Sequence, residues 1–294
     1  MKRLSILAVV ACVMLVANVA SATIVQGIDI DFVTIGNPGN PGDTRAEANP
    51  SGAGAVSYEY QIGMYEITNA QWDAFVSAAG APTGNPSYAY DRNAYWTGTD
   101  VPTNQLSWYE AAQFCNYLTS GDKSQGAYHF SGNNTNPGDF LGIDRDSAVS
   151  AYGVAYVLPT EDEWYKAAYY TGSGYSTYAN GQETIPVADN GWNYRDGSYS
   201  SPWDVGTGTE EQNGTFDMMG NVWEWNETFI ASFRGVRGGS NIDRDIKLSS
   251  SYRDLYLFPD DEFSNVGFRV ASVPEPATLL LLGIGGLALL RKRC

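Results

Sequence analysis

Residues 216–225 read FDMMGNVWEW, and they carry the strongest local signal in the chain. Two carboxylates, Asp217 and Glu224, stand seven residues apart, and a glycine–asparagine pair between them permits a tight turn. Such a turn leaves the backbone carbonyls of Gly220 and Val222 free to point inward, and hard oxygens of this kind are the ligands that Ca²⁺ requires. The residues therefore predict either a calcium site or a polar turn flanked by core methionine and tryptophan.

Three capping boxes upstream of this stretch predict three helices. A Ser or Thr followed three residues later by Glu or Gln is typical of a helix N-terminus, and such boxes begin at Thr68, Ser107 and Thr160. Each helix has a tryptophan near its first turn, on the face that the later apolar residues share. We therefore expect these tryptophans to lie in the core rather than in a ligand site. They are Trp72, Trp108 and Trp164.

The rest of the chain alternates short strands with long loops. Residues 32–35 predict a first strand, and alternating apolar and polar residues over 56–64 predict a half-buried second strand. Segments 80–101, 121–146 and 172–214 are predicted loops, and loops this long in a compact domain are often functional. The sequence thus predicts one loop-rich domain with few helices and short strands.

Composition and charge exclude several function classes. The chain has 294 residues, 43% of them apolar, and a formal net charge of -16. A nucleic-acid-binding role is disfavoured, because phosphate contacts need a basic surface. The one histidine, His129, excludes sites that need two or more imidazoles, and it would have to be the base of any Ser-His-Asp triad. Of the three cysteines, Cys12 and Cys294 lie in the end segments, so Cys115 has no disulfide partner in the body.

The first 22 residues predict a secretory signal peptide. Lys2 and Arg3 supply the charged start, residues 4–19 form the apolar stretch, and residues 20–22 form a small-residue cleavage site. A membrane anchor is the alternative, but the position of the cleavage site favours a signal. The predicted folded body then covers residues 23–272.

The C-terminal segment, residues 273–294, predicts sorting at a membrane. VPEP at 273–276 precedes fourteen largely apolar residues, 277–290, and a basic triplet at 291–293. As a helix, the fourteen residues of the apolar run would rise about 21 Å. A helix that spans a bilayer usually needs about 20 residues, so this run is shorter than a usual span. In this order the parts resemble the PEP-CTERM sorting signal of exopolysaccharide-producing Gram-negative bacteria. The resemblance implies an inner-membrane exosortase as partner, a transient anchor, and export to the cell surface or matrix; a plain transmembrane tail anchor is the alternative.

Six motifs along the body resemble the formylglycine-generating enzyme, or sulfatase-modifying factor, family. In chain order they lie at residues 65–69, 106–111, 158–164, 216–225, 237–240 and 267–270. The resemblance runs from about residue 32 to residue 271, and it implies the family's irregular, C-type-lectin-like α+β fold. It also implies a function class, because active family members use O₂ to oxidise a sulfatase cysteine to formylglycine.

The resemblance implies two structural calcium sites. In the first site the matching positions are Asp217, Gly220, Val222 and Glu224. In the second site they are Asn190, Gly191, Asp196 and Ser198. The second match is loose because the intervening loop is much shorter than in the family, and an ordinary Asn/Asp/Gly loop is the alternative there.

The positions that hold copper in the family have no thiol in this chain. Active members bind copper between two cysteines soon after Arg-Gly-Gly-Ser, and counting from Ser240 places these positions at Asp243 and Leu248. Thiolates suit Cu(I) because both are soft, so copper is not expected as a cofactor. Trp223 and Ser240 match residues that line the family's oxygen pocket. With Asp243, which begins a charged run, they are pocket candidates; no catalytic residue is predicted.

Some family members tie the Cys115 position by a disulfide to the residue that follows Gly-Phe-Arg. That residue is Val270 here, so we expect Cys115 to be a buried small hydrophobe.

Two functions remain open on the sequence. The first is an exported, calcium-stabilised binding or matrix module that takes a polysaccharide or protein ligand. The second is an oxidoreductase of the formylglycine-generating or non-haem metal type, acting on sulfatases or on another protein or small substrate. The missing thiols favour the first.

Overall fold

Three helices begin at the predicted capping boxes, and a fourth begins at the end of one of the predicted loops. The computed structural model describes residues 21–195 and 200–274. Its helices are α1 (Asn69–Ala79), α2 (Trp108–Ser120), α3 (Arg145–Tyr152) and α4 (Glu161–Tyr169).

Both reciprocal hydrogen bonds are present in each of the three capping boxes. At the start of α1 the Thr68 hydroxyl accepts the Gln71 N–H at 3.2 Å, and the Gln71 side chain accepts the Thr68 N–H at 2.9 Å. Helices α2 and α4 begin with the same reciprocal pair. Each cap satisfies two N–H groups that would otherwise lack a partner, and a cap of this kind contributes about 1 kcal/mol. The three tryptophans that follow the caps are buried, as predicted.

Short strands form three sheets. The first sheet has the order β1-β2-β3-β11-β6, the second β10-β7-β8-β9, and the third pairs β4 with β5. Neighbouring strands are antiparallel except β10 and β7, which are parallel. The strands are β1 (Ser21–Val25), β2 (Ile28–Ile35), β3 (Tyr60–Gly63), β4 (Tyr128–Phe130), β5 (Phe140–Ile143), β6 (Val154–Val157), β7 (Trp223–Ile230), β8 (Phe233–Arg237), β9 (Asp254–Leu257), β10 (Val266–Gly267) and β11 (Ala271–Pro274). The predicted α+β class is confirmed.

An aromatic cluster joins the helices to the C-terminal part of the chain. Trp72 of α1 stacks on Phe114 of α2 with ring centroids 5.9 Å apart and planes within 6°. Phe268 meets both rings edge-on. Burial of large rings of this kind dominates core energetics. These ring contacts also hold the segment that carries Phe268 in place. That segment follows β10 and leads into the candidate functional site described below.

Two predicted segments differ from the structure. The predicted strand over 56–64 is shorter, because β2 ends at Ile35 opposite Tyr60 and residues 56–59 have no partner strand among the described residues. The predicted loop 121–146 was wrong in part, because it contains the hairpin β4–β5 and the start of α3. His129 lies exposed on β4.

The two ends of the described chain are strands of the first sheet. Strand β1 includes residues 21 and 22, the end of the predicted signal, and β11 includes residues 273 and 274 of the predicted tail. Among the helices formed by residues 21–195 and 200–274, none is long and apolar enough to span a membrane. Most of the predicted signal and the apolar run 277–290 lie outside the described residues.

Candidate functional site

The segment 216–225 forms the tight turn that its sequence predicts. Asp217, Gly220 and Asn221 adopt positive φ angles of 62°, 92° and 57°. A Cβ on Gly220 would lie 2.2 Å from the backbone oxygen of Asn193, so glycine is required there by space as well as by conformation. The same Asn193 oxygen accepts the Asn221 N–H at 2.8 Å, which fixes the turn against the loop before it.

A buried ion pair joins this turn to the segment after β10. Both Glu224 oxygens accept from Arg269, through Nε and Nη2 at 2.6 Å each, and both side chains are fully buried. Trp164 of α4 donates its indole N–H to the same carboxylate at 2.7 Å. Burial acts to lower the pKa of Arg269, but the charge and hydrogen bonds of Glu224 raise it overall. Arg269 also donates to the backbone oxygens of residues 63, 64 and 216.

Three further carboxylates are buried around the same arginine. Asp217 accepts the Gly206 N–H at 3.0 Å, and Glu211 accepts the Met218 N–H at 3.0 Å. Burial raises the pKa of Asp217 to about 6 and that of Glu211 to about 8. For Glu66, burial and then the negative charges of Asp217 and Glu224 raise the carboxyl pKa well above its usual value.

The cluster has more negative than positive groups. Its four carboxylates belong to Glu66, Glu211, Asp217 and Glu224, and Arg269 is the cation that acts on them. One oxygen of Glu66 and one of Glu211 are buried without a hydrogen-bond partner among the described residues. Buried carboxylates are costly unless they are paired, so these oxygens fit a site that takes an added cation.

Side chains alone do not complete a metal site here. Within the described residues, no group of three or more His, Cys, Asp or Glu side chains is arranged to hold a metal ion. Glu224 is already engaged by Arg269 and Trp164. A calcium ion would therefore depend on Asp217 and on backbone carbonyls, with the unpartnered Glu66 oxygen as a further donor.

Sequence reasoning missed Glu66, Glu211 and Arg269 as members of the site. Glu66 and Arg269 lie in two of the six motifs, at 65–69 and 267–270. The motifs therefore indicated that these residues matter, but not that they lie close together in the fold. Glu211 lies in the predicted loop 172–214 and carried no signal.

The second predicted calcium site is described only in part. Asn190 and Gly191 lie in a surface loop, where the Gly191 carbonyl accepts the Thr209 N–H at 2.9 Å. Asp196 and Ser198 fall outside the described residues, so the predicted ligand set stays a prediction.

The position predicted for copper contains a closed polar network. Ser240 donates to one Asp243 oxygen at 2.5 Å, and the Lys247 ammonium pairs with the other at 2.8 Å. The same ammonium lies 5.5 Å from the ring centroid of Trp223 and 5.6 Å from that of Tyr252. Trp223 and Ser240 are buried, so these pocket candidates have little open surface of their own.

Leu248 and Cys115 are core residues. Leu248 is fully buried, and its carbonyl accepts the Tyr169 hydroxyl at 3.0 Å. Gly239 makes room for it, because a Cβ there would lie 2.9 Å from a Leu248 methyl carbon. Cys115 is also fully buried, as predicted, and burial raises the pKa of its thiol well above the usual value.

An open cavity of about 500 Å³ lies beside this network. Residues 185–188 form an apolar wall, and Tyr194, Arg195, Arg244 and Asp245 complete the lining. The Arg195 N–H donates to the Asp243 carbonyl at 2.8 Å, and this hydrogen bond joins the cavity lining to the polar network.

Comparison with known families decides what the six motifs mean. The profile of the sulfatase-modifying factor enzyme 1-like domain matches residues 32–273. The chain belongs to the sulfatase-modifying factor family. A second profile, the PEP-CTERM protein-sorting motif, matches residues 272–293. Both predicted resemblances are thereby confirmed, and the chain is an exported member of the family that carries an exosortase sorting signal.

Solved structures and a curated relative agree with this family fold. Treponema denticola variable protein 1 superimposes with a TM-score of 0.64 at 23% identity, over 88% of this chain and all of that one. PvdO from Pseudomonas aeruginosa gives a TM-score of 0.57 at 16% identity, over 83% of this chain and 94% of its own. The chaperone protein LppX of Paenibacillus barcinonensis is 26% identical over 205 residues, 62% of this chain and 69% of the relative. The C-type-lectin-like fold predicted for this family member is confirmed.

Proposed function

We propose that this sulfatase-modifying factor domain is a calcium-stabilised binding module at the cell surface or in the matrix, and that it does not generate formylglycine. The proposal rests on the residues that occupy the two positions where active family members bind copper. Asp243 is held by Ser240 and Lys247, and Leu248 is fully buried. A carboxylate is a hard donor and a leucine is no donor, so the pair offers Cu(I) no thiolate.

No cysteine among the described residues supplies the missing thiols. Cys115 is fully buried inside α2, and Cys12 and Cys294 belong to the segments predicted to be the signal peptide and the sorting tail. Because the thiolate is the form that binds a metal, the raised pKa of Cys115 disfavours it further.

The buried carboxylate cluster supports the calcium part of the proposal. Asp217 would bind through its carboxylate, Gly220 and Val222 through their backbone carbonyls, and Glu66 through its unpartnered oxygen. Glu224 would position the turn through its ion pair with Arg269 and its bond from Trp164. A bound Ca²⁺ would supply positive charge in the cluster and lower the cost of its buried carboxylates.

A binding role also agrees with the name of one relative. LppX is named a chaperone protein, and chaperones bind other proteins. The shared domain would then serve as a rigid scaffold whose surface decides the ligand.

Incubation with a sulfatase-motif peptide tests the absence of catalysis. We expect no conversion of the peptide cysteine to formylglycine, even with copper and reductant, because two thiolates are needed to hold the metal. Mass spectrometry of the peptide measures the change directly, and an active family member is the positive control. Conversion that disappears in Asp243→Ala would refute the proposal and show a new metal site in this fold.

The tail predicts a processed C-terminus. We expect protein recovered from the surface of the native host to end close to residues 274–276, because an exosortase acts at the sorting motif. Mass spectrometry of the mature protein measures this end. Recovery of an intact 291–294 end on the surface protein would show a retained anchor instead.

A further inference from the structure

Arg244 differs from every other basic residue that the structure describes. It is the one lysine or arginine in residues 21–195 and 200–274 that is exposed, and its side chain has no hydrogen-bond, ion-pair or ring partner there. The others are engaged: Lys247 pairs with Asp243, for example, and Arg253 with Glu161. In a chain of net charge -16, an unpaired guanidinium is a scarce feature.

This guanidinium lies at the open cavity beside the Asp243 network. Arg195 joins Arg244 in the lining, and Asp245 is the one carboxylate among the lining residues that the structure describes. Asp245 accepts the Ile246 N–H at 2.8 Å, so one of its oxygens is already engaged. Arg244 therefore places at this cavity a positive charge that has no partner among the described residues, in a chain whose net charge is -16, which favours an anionic ligand at this point.

The opposite wall of the cavity is aliphatic. Residues 185–188 read Ile-Pro-Val-Ala, and Val187 is 65% exposed. Tyr194 holds this wall in place, because its hydroxyl donates to the Pro186 carbonyl at 2.5 Å. Aliphatic side chains favour an apolar partner, whereas a sugar ring usually stacks on an aromatic face.

We propose that this cavity binds a peptide C-terminus with an aliphatic last residue. The carboxylate would bind Arg244, and the aliphatic side chain would pack on residues 185–188. Guanidinium groups suit this role because their forked N–H donors match both carboxylate oxygens. The proposal rests on the binding function proposed above and names the ligand class, a protein or peptide rather than a polysaccharide.

Isothermal titration calorimetry on the full-length protein tests the proposal with three small probes. N-acetyl-leucine has the carboxylate and the aliphatic group, N-acetyl-leucinamide lacks the charge, and glucuronate is a carboxylate on a sugar. We expect N-acetyl-leucine to bind about tenfold or more tightly than its amide, since a hydrogen bond to a charged group is worth that much. Glucuronate should bind no better than the amide.

Two variants and one control locate the site. Arg244→Gln should lower the affinity for N-acetyl-leucine about tenfold, to the level of the amide. Val187→Ala should weaken both leucine probes about threefold, because buried methyl groups are lost. Arg253→Gln removes a positive charge away from the cavity and should leave the affinity unchanged. The Arg244 side chain has no partner among the described residues, so its replacement should not unfold the protein.

Several outcomes would overturn the proposal: equal affinity for acid and amide, an unchanged affinity in Arg244→Gln, or no binding at millimolar ligand. Tighter binding of glucuronate than of N-acetyl-leucine would assign the cavity to an acidic polysaccharide instead. These results are separate from the peptide-conversion assay. Formylglycine formation would refute the non-catalytic function whatever the cavity binds, and failure of the cavity alone would leave that function standing.

Discussion

Replacing Arg269 by methionine is expected to lower the free energy of unfolding by about 3–5 kcal/mol, because it removes one partner of a buried ion pair. Glu224 would keep its bond from Trp164 but lose both bonds from the guanidinium. Three backbone carbonyls would also lose a hydrogen bond from the guanidinium, and the buried carboxylates would lose their neighbouring cation. Urea unfolding of the full-length protein in chelator measures the change.

Lys247→Met is the control for that experiment. The Lys247 side chain is 32% exposed and pairs with Asp243 at 2.8 Å. Ion pairs near the surface typically contribute between 0 and about 1 kcal/mol, so this variant should stay close to wild type. Equal stabilities for the two variants would mean that the Arg269 pair does not hold the turn at 216–225 in place.

Calcium is expected to raise the melting temperature, and a chelator to lower it. An ion that binds only the folded state adds about 2.7 kcal/mol when it is present at a hundredfold excess over its dissociation constant. Asp217→Asn should remove most of the response, because it removes the negative charge of the carboxylate that is expected to bind the ion. The unpartnered oxygen of Glu66 would remain in the buried cluster. Differential scanning calorimetry with and without Ca²⁺ measures the shift.

Asp204→Asn is the matched control for Asp217→Asn. Asp204 is exposed and lies two residues before Gly206, which donates its N–H to Asp217. The same chemical change at this neighbouring position should leave the calcium response intact. Identical wild-type melting curves in chelator and in millimolar Ca²⁺ would contradict the calcium site.

Local signals in the sequence predicted the elements that depend on neighbouring residues. Helices α1, α2 and α4 begin where their capping boxes predict, because a cap is completed within four residues. The turn at 216–225 was predicted for the same reason. Helix α3 was missed although Asp144 caps it, because its eight residues bury only two side chains and give a weak apolar pattern.

Long-range partnerships could not be predicted in the same way. Glu224 and Arg269 are separated by 45 residues, and their pairing depends on the parallel contact of β7 with β10. The family resemblance correctly drew attention to the motifs that contain them. It did not indicate that both Glu224 oxygens would accept from an arginine, nor that the cavity lining would include Arg244 and residues 185–188.

The C-terminal sorting motif overlaps β11, the last strand that the structure describes. This strand lies between β3 and β6 in the first sheet, and the sorting motif begins within it, at residue 272. Only residues 275 and 276 separate the strand from the apolar run, and two residues reach about 7 Å at most. If the apolar run is held in the membrane, as its sequence predicts, the folded body would lie directly at the lipid surface. A processing enzyme that acts at the sorting motif would then have to contact the body itself, or act after β11 has separated from β3 and β6, so the stability of this last strand would control release.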